Sequence, residues 1–132
     1  MDVAINIFVA PSQCWSCGAD TSIITNLMMD LAGEETAFCV GDLTDYPELA
    51  EEIATQIPPE LGVGATKMRP SATMGRAYMS NGCAPCDAIF GMHYEIHARY
   101  DERHALTILP SAAAGWADLV EALNASDDGH LI

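Results

Sequence analysis

Cys14-Trp15-Ser16-Cys17-Gly18 and, 65 residues after the first pair, Cys83-Ala84-Pro85-Cys86-Asp87 are the two stretches on which the reading of this chain turns. Two Cys-x-x-Cys turns supply four thiolates, the donor set of a closed tetrahedral zinc site. Gly18 permits a tight turn whose amides point at sulfur, and Asn81-Gly82 is expected to give the second pair a similar turn. The long gap is affordable in free energy. Closing it costs about 3.7 kcal/mol by chain-entropy scaling, whereas a structural zinc contributes about 10–16 kcal/mol. Zinc at Cys14, Cys17, Cys83 and Cys86 is therefore expected.

Three other readings of these cysteines stay open. Iron can be held by the same four sulfurs, as in rubredoxin. Cys83-Ala-Pro-Cys86 has the spacing of a thioredoxin-type redox pair. The pairs could also be unrelated. Cys39 is left over and reads as a buried inert thiol. Trp15, lying between two ligands, is expected to shield the site.

Working outward, Val3–Ala10 and Thr21–Met29 read as strands of a hairpin with the first cysteine pair at its tip. Thr36–Val40 is a third short strand. Residues 46–57 form a helix: Asp45 can cap it, Pro47 suits its first turn, and Leu49, Ile53 and Ile57 make its buried stripe. Pro58-Pro59 stops it. Leu61–Ser71 reads as a loop, and Arg76–Ser80 as a strand entering the second pair. Phe90, Met92, Tyr94, Ile96, Ala98 and Tyr100 alternate with polar residues, which favours a strand over a helix beginning at Asp87 that would bury Ile89, Phe90, His93 and Ile96. Ala105–Leu109 is another strand. Ser111 can cap a final helix over 112–124, with Trp116, Leu119, Val120 and Leu123 on one face. The expectation is one α+β domain over 1–132: a small, mostly antiparallel sheet with a zinc-ribbon-like four-cysteine site and two or three packed helices.

Charge sets the second constraint. Nineteen acids face five bases, for a net charge of −14. Residues 1–66 hold eleven acids and no Lys or Arg, and residues 67–132 hold eight acids with all five bases. Such a surface repels phosphate backbones, so nucleic-acid binding is disfavoured. Solubility accounts for acidity of this kind. A basic protein partner, or imitation of nucleic-acid charge of the sort used by phage anti-defence inhibitors, is the functional alternative. No apolar run approaches the roughly 20 residues of a membrane helix. The N-terminus lacks the basic start of a signal peptide, so a reducing, cytoplasmic setting is expected.

Two further groups qualify as candidate sites. On a strand, His93, Glu95 and His97 would line one face as a secondary polar or metal site. The order is not His-Glu-x-x-His, so the zinc-protease motif is absent. Lys67, Arg69 and Arg76 form a basic cluster before the second cysteine pair. They could offset the −2 charge of a four-thiolate zinc, or contact an anion or partner.

Tyr78-Met-Ser-Asn81-Gly-Cys83-Ala-Pro-Cys86-Asp-Ala-Ile-Phe-Gly91, with Cys14-Trp-Ser-Cys17-Gly18, resembles a group of small, uncharacterised bacterial zinc-ribbon proteins. In these a Cys-Trp-x-Cys pair precedes an aromatic-x-x-Asn-x-Cys-x-x-Cys-x-Ala-x-x-Gly stretch. The resemblance covers residues 14–18 and roughly 71–91 and implies metal binding by the same four cysteines. It carries no reaction with it. Asp87 departs from the pattern where a glycine is expected. No nucleophile elbow or phosphate-binding glycine loop accompanies these motifs. The leading functional expectation is a zinc-stabilised, non-enzymatic protein-interaction module.

Overall fold

The computed structural model describes residues 3–110 and 114–132. The proposed cap Ser111 lies outside the described residues. Among the described residues, seven strands run in chain order: β1 (Val3–Gln13), β2 (Asp20–Leu31), β3 (Glu34–Phe38), β4 (Lys67–Ser71), β5 (Arg76–Gly82), β6 (Ile89–Phe90) and β7 (Arg103–Ile108). Three α-helices join them: α1 (Pro47–Gln56), α2 (Met92–Ala98) and α3 (Ala114–Ala125). The class is α+β, but the strands form two antiparallel sheets where one was expected, a four-stranded sheet β3-β2-β1-β7 and a three-stranded sheet β4-β5-β6.

The first sheet follows from its side-chain pattern. Val3, Ile5, Ile7 and Val9 alternate inward along β1 and are buried, as period-two packing requires. They meet Leu27 and Met29 of β2, Leu49 and Ile53 of α1, and Trp116, Leu119 and Leu123 of α3 in one core. The β2–β3 turn places Ala32 and Gly33 at φ 54° and 87°, the left-handed pair that a two-residue hairpin needs. The stripe expected on α1 is present, with Ile57 half-buried just past the helix end. The cap is not: Tyr46 occupies the N-cap position without a side-chain bond, and Asp45 is exposed. Val40 leaves the expected third strand to begin a 3-10 turn over Val40–Leu43, because the Asp42 carboxylate accepts the Cys39 N–H at 2.9 Å and folds the chain back.

Three segments depart further from expectation. Within the loop read over Leu61–Ser71, Lys67–Ser71 pairs with β5, Lys67 opposite Ser80 and Ser71 opposite Arg76. Pro70 is tolerated because β4 is an edge strand. Asn81 and Gly82 are not a turn; they end β5 and pair with Phe90 and Ile89. The 92–101 stretch is helical, with a 3-10 turn over Arg99–Asp101 completing α2. Gly91 caps it, and its carbonyl accepts the N–H groups of Tyr94 and Glu95. The alternating apolar residues therefore fall on different sides of a helix. Tyr94, Ile96 and Tyr100 are exposed, whereas Glu95 is buried.

A bulge couples the two sheets. Between the pairs Phe8↔Asn26 and Val9↔Ile24, β1 skips Thr25. At this irregularity the Asn81 side chain reaches from β5, accepting the Ile24 N–H at 2.9 Å and donating to the Ile24 carbonyl at 2.8 Å. One buried amide thus replaces a strand neighbour. Replacing Asn81 with Ala leaves both groups of Ile24 unpaired, so urea unfolding should show a loss of about 2–4 kcal/mol; a loss below about 1 kcal/mol would contradict this role.

Candidate metal centre

The first cysteine pair occupies the turn between β1 and β2, and the second the turn between β5 and β6. The two turns are built alike. Cys14 N donates to Ala19 O at 2.8 Å and Gly18 N to Cys14 O at 3.0 Å; Cys83 N donates to Ala88 O at 2.9 Å and Asp87 N to Cys83 O at 2.9 Å. Gly18 and Asp87 hold corresponding places, with φ of 76° and 67°. Asp87 thus adopts a backbone conformation that favours glycine. Its side chain compensates, because its carboxylate pairs with Arg69 and Lys67. Those cations hold the Asp87 carboxyl below its usual range, through hydrogen bonds from Lys67 and then Arg69.

The four sulfurs converge. Cys14 Sγ lies 3.6 Å from Cys86 Sγ and Cys17 Sγ 3.7 Å from Cys83 Sγ. All four lie within 4.8 Å of one another. A tetrahedron with metal–sulfur bonds of about 2.3 Å has edges of about 3.8 Å, so these separations fit a central ion. All five cysteines are free thiols. Cys14 and Cys83 are buried against Ile23 and Phe90, while Cys17 and Cys86 sit at the surface.

Thiol acidity points the same way. The Cys17 N–H is the main influence drawing Cys14 down to about 6, with Ser16 N–H and the sulfurs of Cys86 and Cys83 assisting against burial. Desolvation drives Cys83 up to about 12, and its sulfur neighbours add to the shift. Cys86 is drawn down by the Ala88 N–H but ends above its ordinary value, because burial and the sulfurs of Cys17 and Cys14 prevail. Cys14 is the readiest to become a thiolate, and Cys83 and Cys86 resist ionisation beside it. A cation at the centre removes that conflict, and the four residues could hold one.

Arg69 supports the second turn. It is buried, and its guanidinium donates to Ser80 O at 2.7 Å, Ala65 O at 2.8 Å, Asp87 O at 3.3 Å and the Asp87 carboxylate. It crosses over Gly82, where a β-carbon would overlap the guanidinium. That passage is the reason for glycine at 82. Of the predicted basic cluster, Arg69 is consumed internally, whereas Lys67 pairs with Asp87 and stays half-exposed. Arg76 is exposed, and its Nε donates to Ala77 O at 3.4 Å.

The His93, Glu95 and His97 group does not assemble. The helix puts the two imidazoles together, with ring centroids 4.4 Å apart at the surface, and sends Glu95 into the interior. Trp15 is 56% exposed. Its Nε1 donates to Ile89 O at 2.7 Å, tying the first cysteine turn to β6. It borders a cleft of about 560 Å³ with Met74, Tyr78, Met92, His93 and Tyr94.

A second group escaped sequence reasoning. Cys39, Asp42 and His130 bring a sulfur, a carboxylate and an imidazole within 4.8 Å of one another. Cys39 is buried, as expected, and burial with the nearby Asp42 and Glu95 charges pushes its thiol up to about 12. His130 lies 88 residues from Asp42, and no short motif marks the pairing.

No protein-family model, curated protein or solved structure matches this chain. The chemistry of the site therefore rests on its own residues. Two substitutions test the supporting geometry. Gly18→Ala meets open space but must hold a left-handed backbone, so it should cost about 1–2 kcal/mol in chemical unfolding. Arg69→Met strips buried carbonyls of their donor and should cost about 2–4 kcal/mol, with the loss localised to the β4–β6 sheet by hydrogen exchange.

Proposed function

We propose that this chain is a zinc-stabilised, acidic, non-enzymatic protein-interaction module that works in a reducing, cytoplasmic setting. The observation that carries the reading is the convergence of four sulfurs at the edge lengths of a metal–thiolate tetrahedron. Both cysteine turns aim backbone N–H groups at sulfur, and the four thiols by themselves make a complete tetrahedral donor set. Such a site holds structure. Zinc suits it because four thiolates in a tetrahedron satisfy its preferences without redox chemistry. The paired turns also keep the resemblance to small bacterial zinc-ribbon proteins as part of this proposal.

The recognition surface in this reading is the cleft beside the metal, where Trp15 and Tyr94 offer aromatic surface to a partner's apolar side chain. Exposed acids around the molecule, including Asp20, Glu34, Glu35, Glu48, Glu51 and Glu60, favour a basic partner. The same acids favour a second reading, an inhibitor that imitates nucleic-acid charge. Salt separates them: binding through the cleft persists at high ionic strength and weakens with Trp15→Ala, whereas charge imitation fails with salt and ignores that substitution. Among the described residues no helix is long and apolar enough to cross a membrane.

Elemental analysis of purified protein should find zinc bound by the four cysteines and no iron, in a colourless sample. Stringent chelation should abolish the native near-ultraviolet circular dichroism, and zinc should restore it. A full native spectrum without metal would sink the proposal.

A further inference from the structure

Away from the four-cysteine centre, the chain's end returns to the 3-10 turn that follows β3. Asp42 is fully buried there, yet it is heavily engaged. Its Oδ2 accepts from Cys39 N at 2.9 Å, lies 3.3 Å from Cys39 Sγ and 2.9 Å from His130 Nδ1, and its Oδ1 accepts from Leu131 N at 2.6 Å. A thiol, a carboxylate and an imidazole thus face one point from two segments far apart in sequence. Hydrogen bonding alone could hold this arrangement, but it leaves Glu95 unexplained. Glu95 is 2% exposed, and neither of its carboxylate oxygens has a hydrogen-bond partner. Burial pushes its carboxyl up to about 8 against the opposing pull of nearby Arg99 and Asn81, and the Asn81 amide makes its close hydrogen bonds to Ile24. A buried carboxylate without a partner is costly unless something supplies one.

Glu95 and the Cys39–His130 pair border the same cavity, of about 160 Å³, together with Met92, Ile96 and Arg99. Glu95 stands outside the tight group of three donors but lines the same cavity. The space is large enough for water. We propose that Cys39, Asp42 and His130 form a second site for a divalent metal ion of the zinc class, whose fourth ligand is a water molecule hydrogen-bonded to Glu95. One sulfur, one nitrogen and one oxygen donor suit a borderline-soft divalent ion. Binding displaces the Cys39 thiol proton to solvent, and the imidazole binds as its neutral form. The metal takes the place of the protons that the Asp42 carboxylate now accepts from sulfur and nitrogen. Glu95 gains the donor it lacks. The C-terminal residues become pinned to the turn at 40–43 and to α2, so this ion secures the end of the chain where the four-cysteine ion secures the two sheets.

The test compares metal counts at equilibrium. Wild-type protein and the His130→Ala variant are dialysed to equilibrium against micromolar free zinc, and bound zinc per chain is measured by mass spectrometry of the digested samples. His130 is half-exposed near the chain end, so its removal leaves the core in place, and near-ultraviolet circular dichroism checks that. Wild type should hold one zinc more than His130→Ala. Cys39→Ser should repeat the loss with a nearly isosteric change. Equal counts in wild type and both variants would overturn the second site. The count for Cys86→Ser reports separately on the four-cysteine centre, so failure there is distinguishable.

Discussion

Four sulfur atoms from two turns distant in sequence converge within 4.8 Å of one another, and that convergence sets the β1–β2 turn of one sheet against the β5–β6 turn of the other. The β1–β2 turn carries one pair and the β5–β6 turn the other. Among the thiols, Cys14 is drawn down by backbone N–H groups, whereas burial and the neighbouring sulfurs hold Cys83 and Cys86 above their ordinary values. With an ion between them the conflict becomes an attraction. A contribution of about 10–16 kcal/mol from a structural zinc exceeds the roughly 3.7 kcal/mol needed to close the 65-residue gap. In the zinc-bound form proposed above, that surplus helps to hold the two sheets together, beside the small apolar cluster of Ile23 and Phe90.

Polar brackets do the rest of that joining. Asn81 pairs with both backbone groups of Ile24 at the bulge, and Arg69 ties β4, β5 and the second cysteine turn through Ser80, Ala65 and Asp87. Both side chains are buried and carry several bonds. Networks of this kind fix one arrangement, because a partial set leaves unpaired groups in a low-dielectric interior. They also explain why Asp87 can replace glycine at a left-handed position: the ion pairs to Lys67 and Arg69 oppose its backbone strain.

The large core under the first sheet serves a different purpose. Val3, Ile5, Ile7 and Val9 meet α1 and α3 without any contribution from the cysteines. The molecule is thereby divided into an apolar half that stabilises itself by burial and a half organised by thiolates, one guanidinium and one amide.

Composition and pattern by themselves determined the hairpin of β1 and β2, the buried stripes of α1 and α3, the acidity and the four-cysteine set, since each of these depends on residues close in sequence or on chemistry that only a few side chains possess. Tertiary structure alone decided what depends on distant neighbours. The alternation at 90–100 fits a strand, yet pairing with β5 ends at Phe90 opposite Asn81, and the chain coils from Gly91 into a helix that buries Glu95 and separates it from His93 and His97. Lys67–Ser71 has the composition of a loop and becomes a strand because its backbone pairs with β5, with Arg69 passing over Gly82. His130 finds Asp42 across 88 residues. Local periodicity has no term for a partner that arrives from the far end of the chain, and that partner is what turns a leftover cysteine into part of a second cluster.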